Sequence, residues 1–476
     1  MRWLAATFCL TTAAGAVNGE PPCFAALLAG GGYADAEQAL LEQIADPLAP
    51  ITEPAAIQLE ILRRTRLDFS LSREATLAEL RESVPDATRE EFDAWNASGD
   101  LQSRVIDGEL RYFKKGVRNL FLINDEARRR RAAFRAPKSA SPDRFNLTDH
   151  VRGLVAAADD SEAALISPIK HRVAYELSVV PDHPRVQPGA KVAVWLPYPQ
   201  VYGQQGDVRL VASEPEHQTV APNGSPHRTI YFEQVIGPDA EPPTFRVEYE
   251  FVTHASCTAL DPGLAEPYDT TSEVYTRYTA ERAPHIVFNS EVRSLAADIV
   301  GDETNPLEKV RCVFRWVSQN IPWIGEMEYA IIPSLSAKGL AARRGDCGVQ
   351  GMTFITLCRA AGVPARWQSG WQTKPGRENM HDWSEVYIEP WGWLPADASY
   401  GQLDDPDPRV RDFFCGRMDP YRMIVNLDYA RDLTPSKKSF RSEPNDFQRG
   451  EIEIDGHNLY FNEWRYRIEV ETEPAE

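Results

Sequence analysis

The chain has no Cys-x-x-Cys pair among its seven cysteines, and its 51 Lys and Arg do not balance its 70 Asp and Glu. Nor does any apolar run approach the roughly 18 to 20 residues that a membrane span needs. Each absence excludes something. Without paired thiols a structural zinc site has no support. A net charge of −19 argues against a nucleic-acid partner, because phosphate binding depends on clustered cations that release counterions. The single basic run, Arg128, Arg129, Arg130 and Arg131 with Arg135 and Lys138, continues a helical pattern containing Val117, Leu120 and Phe121, so it reads as a solvated helix face. No internal repeat is visible.

What is present is ordinary for folded protein: 43% apolar and 25% charged residues, enough to bury a core. A length of 476 residues exceeds what one core organises, so about three or four domains are expected. Residues 1–16 read as a secretory leader, with Arg2, a mostly apolar stretch from Leu4 to Ala14, and Ala14-Gly15-Ala16 as the cleavage site. A secreted or periplasmic protein is expected. The cysteines stand at 9, 23, 257, 312, 347, 358 and 415, and their spacing assigns no disulfide.

Periodicity divides the rest. Residues 20–160 are mainly helical with one hairpin: Ala36, Leu40 and Ile44 recur at helical spacing, Thr88 and Glu91 form a capping box, and Asp107-Gly108 makes a two-residue turn. Residues 165–258 change to a period of two, with Val173, Tyr175, Leu177 and Val179 on one face and Phe245, Val247, Tyr249 and Phe251 on another, which predicts a β-sandwich. Helices resume before 300, the clearest at Asn305-Pro306-Leu307-Glu308, where Asn caps, Pro fits the first turn and Glu reaches back. Strands follow from Val363, so residues 265–435 predict an α+β core and 436–476 a β extension.

The chemistry concentrates in that core. Cys347 lies in Arg344-Gly345-Asp346-Cys347-Gly348, just ahead of an apolar helix that stops at Gly362-Val363-Pro364. Asp346 is a good N-cap. The unpaired N–H groups of a helix start favour a thiolate, and the Cys347 N–H is placed to receive an oxyanion. His381 and Asp397 flank a hairpin whose turn is Glu389-Pro390-Trp391-Gly392, so folding back sets His381 opposite a residue between Asp397 and Tyr400. A carboxylate there fixes the imidazole tautomer, and His381 then exchanges protons with the thiol and a leaving amine. Taken singly, each residue has a bland reading: packing for a cysteine, a satisfied core position for a histidine, a turn cap for an aspartate. Their order and settings together favour catalysis.

These segments also carry a resemblance. Gly345-Asp346-Cys347-Gly348, Arg359 to Arg366, His381-Asp382-Trp383-Ser384-Glu385-Val386-Tyr387 and Gly392-Trp393-Leu394-Pro395-Ala396-Asp397 resemble the core of the transglutaminase-like superfamily. The resemblance implies a papain-like α+β core with Cys347 as nucleophile, His381 as general base and acid, and Asp397 as orienting carboxylate. No cofactor and no metal are expected: the chain departs from the animal cross-linking enzymes in having no segment that matches their calcium sites, and Asp404-Asp405-Pro406-Asp407 reads as a solvated turn. The superfamily includes cross-linking enzymes, cysteine proteases, deamidases and deglycosylating amidases, so the expected partner is a peptide, protein or glycopeptide amide. Hydrolysis is favoured over amine cross-linking, and a non-catalytic envelope-binding module is the rival from another class. Trp323, Tyr329 and Trp383 are the candidate substrate contacts. Oligomeric state is left open.

Overall fold

The computed structural model describes residues 24–45, 53–134, 145–161 and 163–475. The expected leader at 1–16, Cys9, Cys23 and the small polar stretch at 136–142 lie outside the described residues. The chain divides into two compact units: residues 1–139 with Ile324–Met327, and residues 140–323 with 328–476.

The first unit is helical. Two apolar clusters hold it, one around Tyr33, Leu40, Leu62 and Phe113 and one around Leu80, Phe92, Trp95, Leu120 and Phe121. Thr88 accepts from the Glu91 N–H and Glu91 accepts from the Thr88 N–H, closing the expected capping box. Asp107 and Gly108 both take positive φ in the hairpin joining Ser103–Ile106 to Glu109–Tyr112, as a turn of type I′ requires. Asn119, fully buried, binds the Gly325 backbone in both directions at 2.8 Å.

The second unit contains three antiparallel sheets. Leu165–Val179 and Thr244–Ser256 form the middle of a four-stranded sheet, while Lys191–Pro197 and Thr229–Val235 lie within a five-stranded one. Alternation buries Val173, Tyr175, Leu177, Phe245, Val247 and Tyr249 from the first against Val192, Val194, Ile230 and Phe232 from the second, in one cluster. Both sheets need later chain: Trp464–Pro474 pairs with Leu165–Val179 along its length, and Glu451–Ile454 pairs with Lys191–Pro197.

The third sheet carries the site. Its order is Gly392–Ala396, Asn379–Ile388, Ala365–Gln372, Arg422–Asn426. The helix Cys347–Ala360 packs on it, with Met352, Phe354, Ile355, Leu357 and Cys358 buried. Trp371, Met423 and Val425 join the sandwich cluster, so one continuous apolar core holds the sheet that positions His381. Gly370 sits opposite both His381 and Ile424, and a Cβ there would lie 1.9 Å from the Met423 carbonyl oxygen. Only glycine lets these strands approach so closely.

Asn305 caps Pro306–Asn320 as expected, accepting from the Leu307 and Glu308 N–H groups. Glu308 does not reach back: it binds Arg311, and Glu303 takes the Asn305 N–H. The five described cysteines, 257, 312, 347, 358 and 415, are all free. Trp367, Trp371 and Trp383 are core residues.

Candidate active site

Cys347 opens its helix. The Asp346 side chain accepts from the Val349 N–H, the Gly348 N–H donates to the Tyr329 hydroxyl at 3.0 Å, and the Gln350 N–H returns to the Asp346 carbonyl. Among the described residues no acceptor meets the Cys347 N–H, the donor expected to face an oxyanion. The fit is close: a Cβ on Gly348 would lie 2.2 Å from the Tyr329 hydroxyl oxygen.

The hairpin brings His381 and Asp397 together. Ser384 pairs with Ala396, and His381 Nε2 lies 2.7 Å from Asp397 Oδ2. Asp397 is saturated. Its Oδ1 accepts from the Ser399 N–H, the Ser399 hydroxyl and the Tyr400 N–H, and its Oδ2 also accepts from Arg422 Nη2 at 2.9 Å. Although burial opposes ionisation, His381 and Arg422 hold the Asp397 carboxyl well below the usual carboxylate range. An ionised Asp397 makes Nε2 the protonated nitrogen of a neutral His381, leaving a lone pair on Nδ1. Burial lowers the His381 pKa despite Asp397, and Arg422 and Lys374 push the same way.

Arg422 escaped the sequence reading as a site residue. Its guanidinium is 1% exposed, bonds the Tyr400 hydroxyl at 3.0 Å and lies 4.2 Å from that ring's centroid. The Tyr400 ring in turn lies 5.0 Å from the His381 ring.

The sulfur has an unexpected partner. Cys347 Sγ donates to Asp382 Oδ2 at 3.3 Å, and no hydrogen bond joins it to His381. Alternation along the strand sends Asp382 to the side opposite His381 and Trp383, toward the nucleophile helix. The Tyr329 hydroxyl stands 2.8 Å from Asp346 Oδ1 and 3.0 Å from Asp382 Oδ2. Its one proton is shared between two carboxyl oxygens. Burial, with Asp346 nearby, pushes Asp382 up to about 7. Gln448, outside the expected core at 265–435, donates to Asp382 Oδ1 at 2.7 Å and to the His381 carbonyl at 2.9 Å.

This setting overturns one expectation. A helix start alone favours a thiolate, but burial and then the carboxylates of Asp382 and Asp346 push the Cys347 thiol up. Cys347 rests protonated. Removing the nearest charge with Asp382→Asn should move the pH midpoint of Cys347 alkylation by iodoacetamide downward. An unchanged or higher midpoint would contradict the assigned cause.

The remaining candidates separate. Trp323 is 38% exposed and bridges to Gly345 beside the nucleophile. Tyr329 is half-buried, with its hydroxyl committed to the helix start. Trp383 is 1% exposed, and its indole N–H donates to Gln368 Oε1. It backs the His381 ring at 5.9 Å and has no surface to offer a substrate. Among the described residues no group of acids, histidines and cysteines is disposed to hold a metal ion.

A helix-borne thiol beside an antiparallel sheet that carries an imidazole–carboxylate pair defines a papain-like α+β core. Residues 293–398 match the Transglutaminase-like superfamily, so the core of this chain is transglutaminase-like. Two curated relatives match: the uncharacterised protein YebA of Bacillus subtilis, 27% identical over 129 residues, covering 23% of this chain and 17% of that protein, and an uncharacterised protein of Haemophilus influenzae, 25% identical over 162 residues, covering 28% and 42%. The chain thus spans less than half the length of either. Among solved structures, a candidate cysteine protease from Cytophaga hutchinsonii aligns with a TM-score of 0.43 and 15% identity, over 66% of this chain and 92% of that one.

Proposed function

We propose that this chain is an exported thiol enzyme that cleaves amides of peptides, proteins or glycopeptides through an acyl-enzyme on Cys347, with water as the favoured acceptor. The observation that carries the reading is the 2.7 Å contact of His381 Nε2 with Asp397 Oδ2, which leaves Nδ1 as a base. Attack requires the sulfur to leave Asp382 and reach that nitrogen. The thiol proton passes to Nδ1 as sulfur bonds to the carbonyl carbon. The oxyanion meets the Cys347 N–H. His381 then protonates the leaving amine as the C–N bond breaks. Water, giving a proton to the same nitrogen, attacks the thioester, and the S–C bond breaks to restore the thiol. Asp397 stays ionised throughout, steadying the imidazolium.

Export rests on the leader pattern at residues 1–16, and no helix among the described residues is long and apolar enough to cross a membrane. The reading is tested by incubating the full chain with mixed peptide, glycopeptide and cell-wall amides in ¹⁸O-labelled water containing a biotinylated amine. An acyl adduct on Cys347 and ¹⁸O in the released acid are the expected products. Biotin in the acyl product would make amine transfer the reaction. A mixture left unchanged, with no adduct, would leave a binding module.

A further inference from the structure

Lys374 is a buried cation without an acceptor. It follows the strand Ala365–Gln372 and opens the turn Lys374-Pro375-Gly376-Arg377, closed by the Arg377 N–H on the Lys374 carbonyl at 2.9 Å. Pro375 supplies the fixed φ of the second position and Gly376 the positive φ, +65°, of the third, so the turn is rigid by composition. On the other side the Thr373 N–H is tied to the Tyr421 carbonyl. The backbone that carries this side chain is fixed at both ends.

Only 8% of Lys374 is exposed. Its Nζ stands 4.2 Å from the centre of the Tyr400 ring, the ring tilted against His381 at 5.0 Å. That contact attracts the charge but satisfies none of the three N–H donors. Among the described residues Nζ makes no hydrogen bond or ion pair. Burial and the like charge of Arg422 lower its pKa to about 8, with Arg377 acting the same way and Asp419 and Asp397 opposing. His150 and His381 both sense its charge. A protein of net charge −19 has thus fixed an ammonium, without a hydrogen-bond acceptor, against the ring that neighbours His381. Such a group gains most from an anion that arrives with a ligand.

We propose that Lys374 is the anion-recognition residue of the site and takes a carboxylate that the substrate carries beside the amide attacked by Cys347. The proposal rests on the reading of the site as an amide-cleaving thiol enzyme and narrows its substrates to acidic amides.

The test reads binding without turnover, as protection of Cys347 from iodoacetamide. Three versions of one peptide are compared: a free C-terminal carboxylate beside the susceptible amide, an acidic side chain there with the C-terminus amidated, and a fully amidated form. In the wild type at pH 7 one of the acidic forms should half-protect Cys347 at a concentration about tenfold below the amidated form; which one identifies the carboxylate's source. Lys374→Met should erase the difference while leaving protection by the amidated form within about twofold, and Lys374→Arg should keep most of it. The preference should fade above about pH 8, as the ammonium loses its proton. Equal protection by all three forms in the wild type, or equal loss of all three in Lys374→Met with Lys374→Arg no better, would overturn the proposal. Cys347-dependent turnover is scored separately. Turnover without carboxylate preference would leave the enzyme and remove this role for Lys374, and selective protection without turnover would do the reverse.

Discussion

Replacing Cys347 with alanine should take amide cleavage to background, a loss of at least about 10⁴-fold in kcat, with thermal unfolding nearly unchanged. The size follows from the division of labour. His381 and Asp397 can move a proton and steady an imidazolium, but nothing else at the helix start can form the S–C bond that divides one difficult displacement into two easier ones. Stability should hold because Cys347 is half-buried as a residue and its sulfur makes one hydrogen bond, to Asp382. Asp382 loses that one hydrogen bond but keeps those from Tyr329 and Gln448. Cleavage persisting in the alanine variant at more than a hundredth of the wild-type rate would end the thiol-enzyme account.

Arg422→Met should be damaging in two ways at once. Its guanidinium holds Asp397 Oδ2 at 2.9 Å and Asp419 Oδ2 at 3.8 Å, and both carboxylates are fully buried. Methionine fills much of the volume but strands those charges, and breaking a buried pair from one side costs about 3 to 5 kcal/mol. Misplacing Asp397 also loosens His381, with a loss of about 10²-fold in kcat expected in the fraction that remains folded. The pH profile separates this role from simple destabilisation. Arg422 lowers the His381 pKa, and a raised pKa keeps the imidazole protonated to higher pH. The acid limb of kcat/KM should therefore move to higher pH in Arg422→Met and return toward wild type in Arg422→Lys. A profile that keeps its acid limb while the protein melts earlier would reduce Arg422 to a structural ion pair.

Much of the site was legible because its parts obey local rules. Asp346 caps a helix wherever it precedes an apolar helical run, and that alone put Cys347 at a helix start. The turn at 389–392 fixed the pairing of two short strands, from which the proximity of His381 and Asp397 follows. Arg422 and Gln448 were illegible for the opposite reason. They reach the site from a strand and a loop 25 and 51 residues beyond Asp397, and a charged or amide side chain bound inward has no period that distinguishes it from a solvated one. The error over the thiol was physical. The dipole argument counted the backbone of one helix, whereas the strand that carries His381 also delivers Asp382, whose charge lies closer to the sulfur. Trp383 was misread as a substrate contact because aromatic clustering in sequence cannot tell a cleft wall from the packing behind it.

The strand partnership of Trp464–Pro474 with Leu165–Val179, and the grip of Gln448 on Asp382, carry a consequence for biosynthesis. A nascent chain that has emerged as far as Asp397 holds every reactive group of the motif, yet lacks the amide that anchors Asp382 and the strands that finish both supporting sheets. The centre is therefore complete only after the 77 residues from Ala398 to Pro474 have left the ribosome.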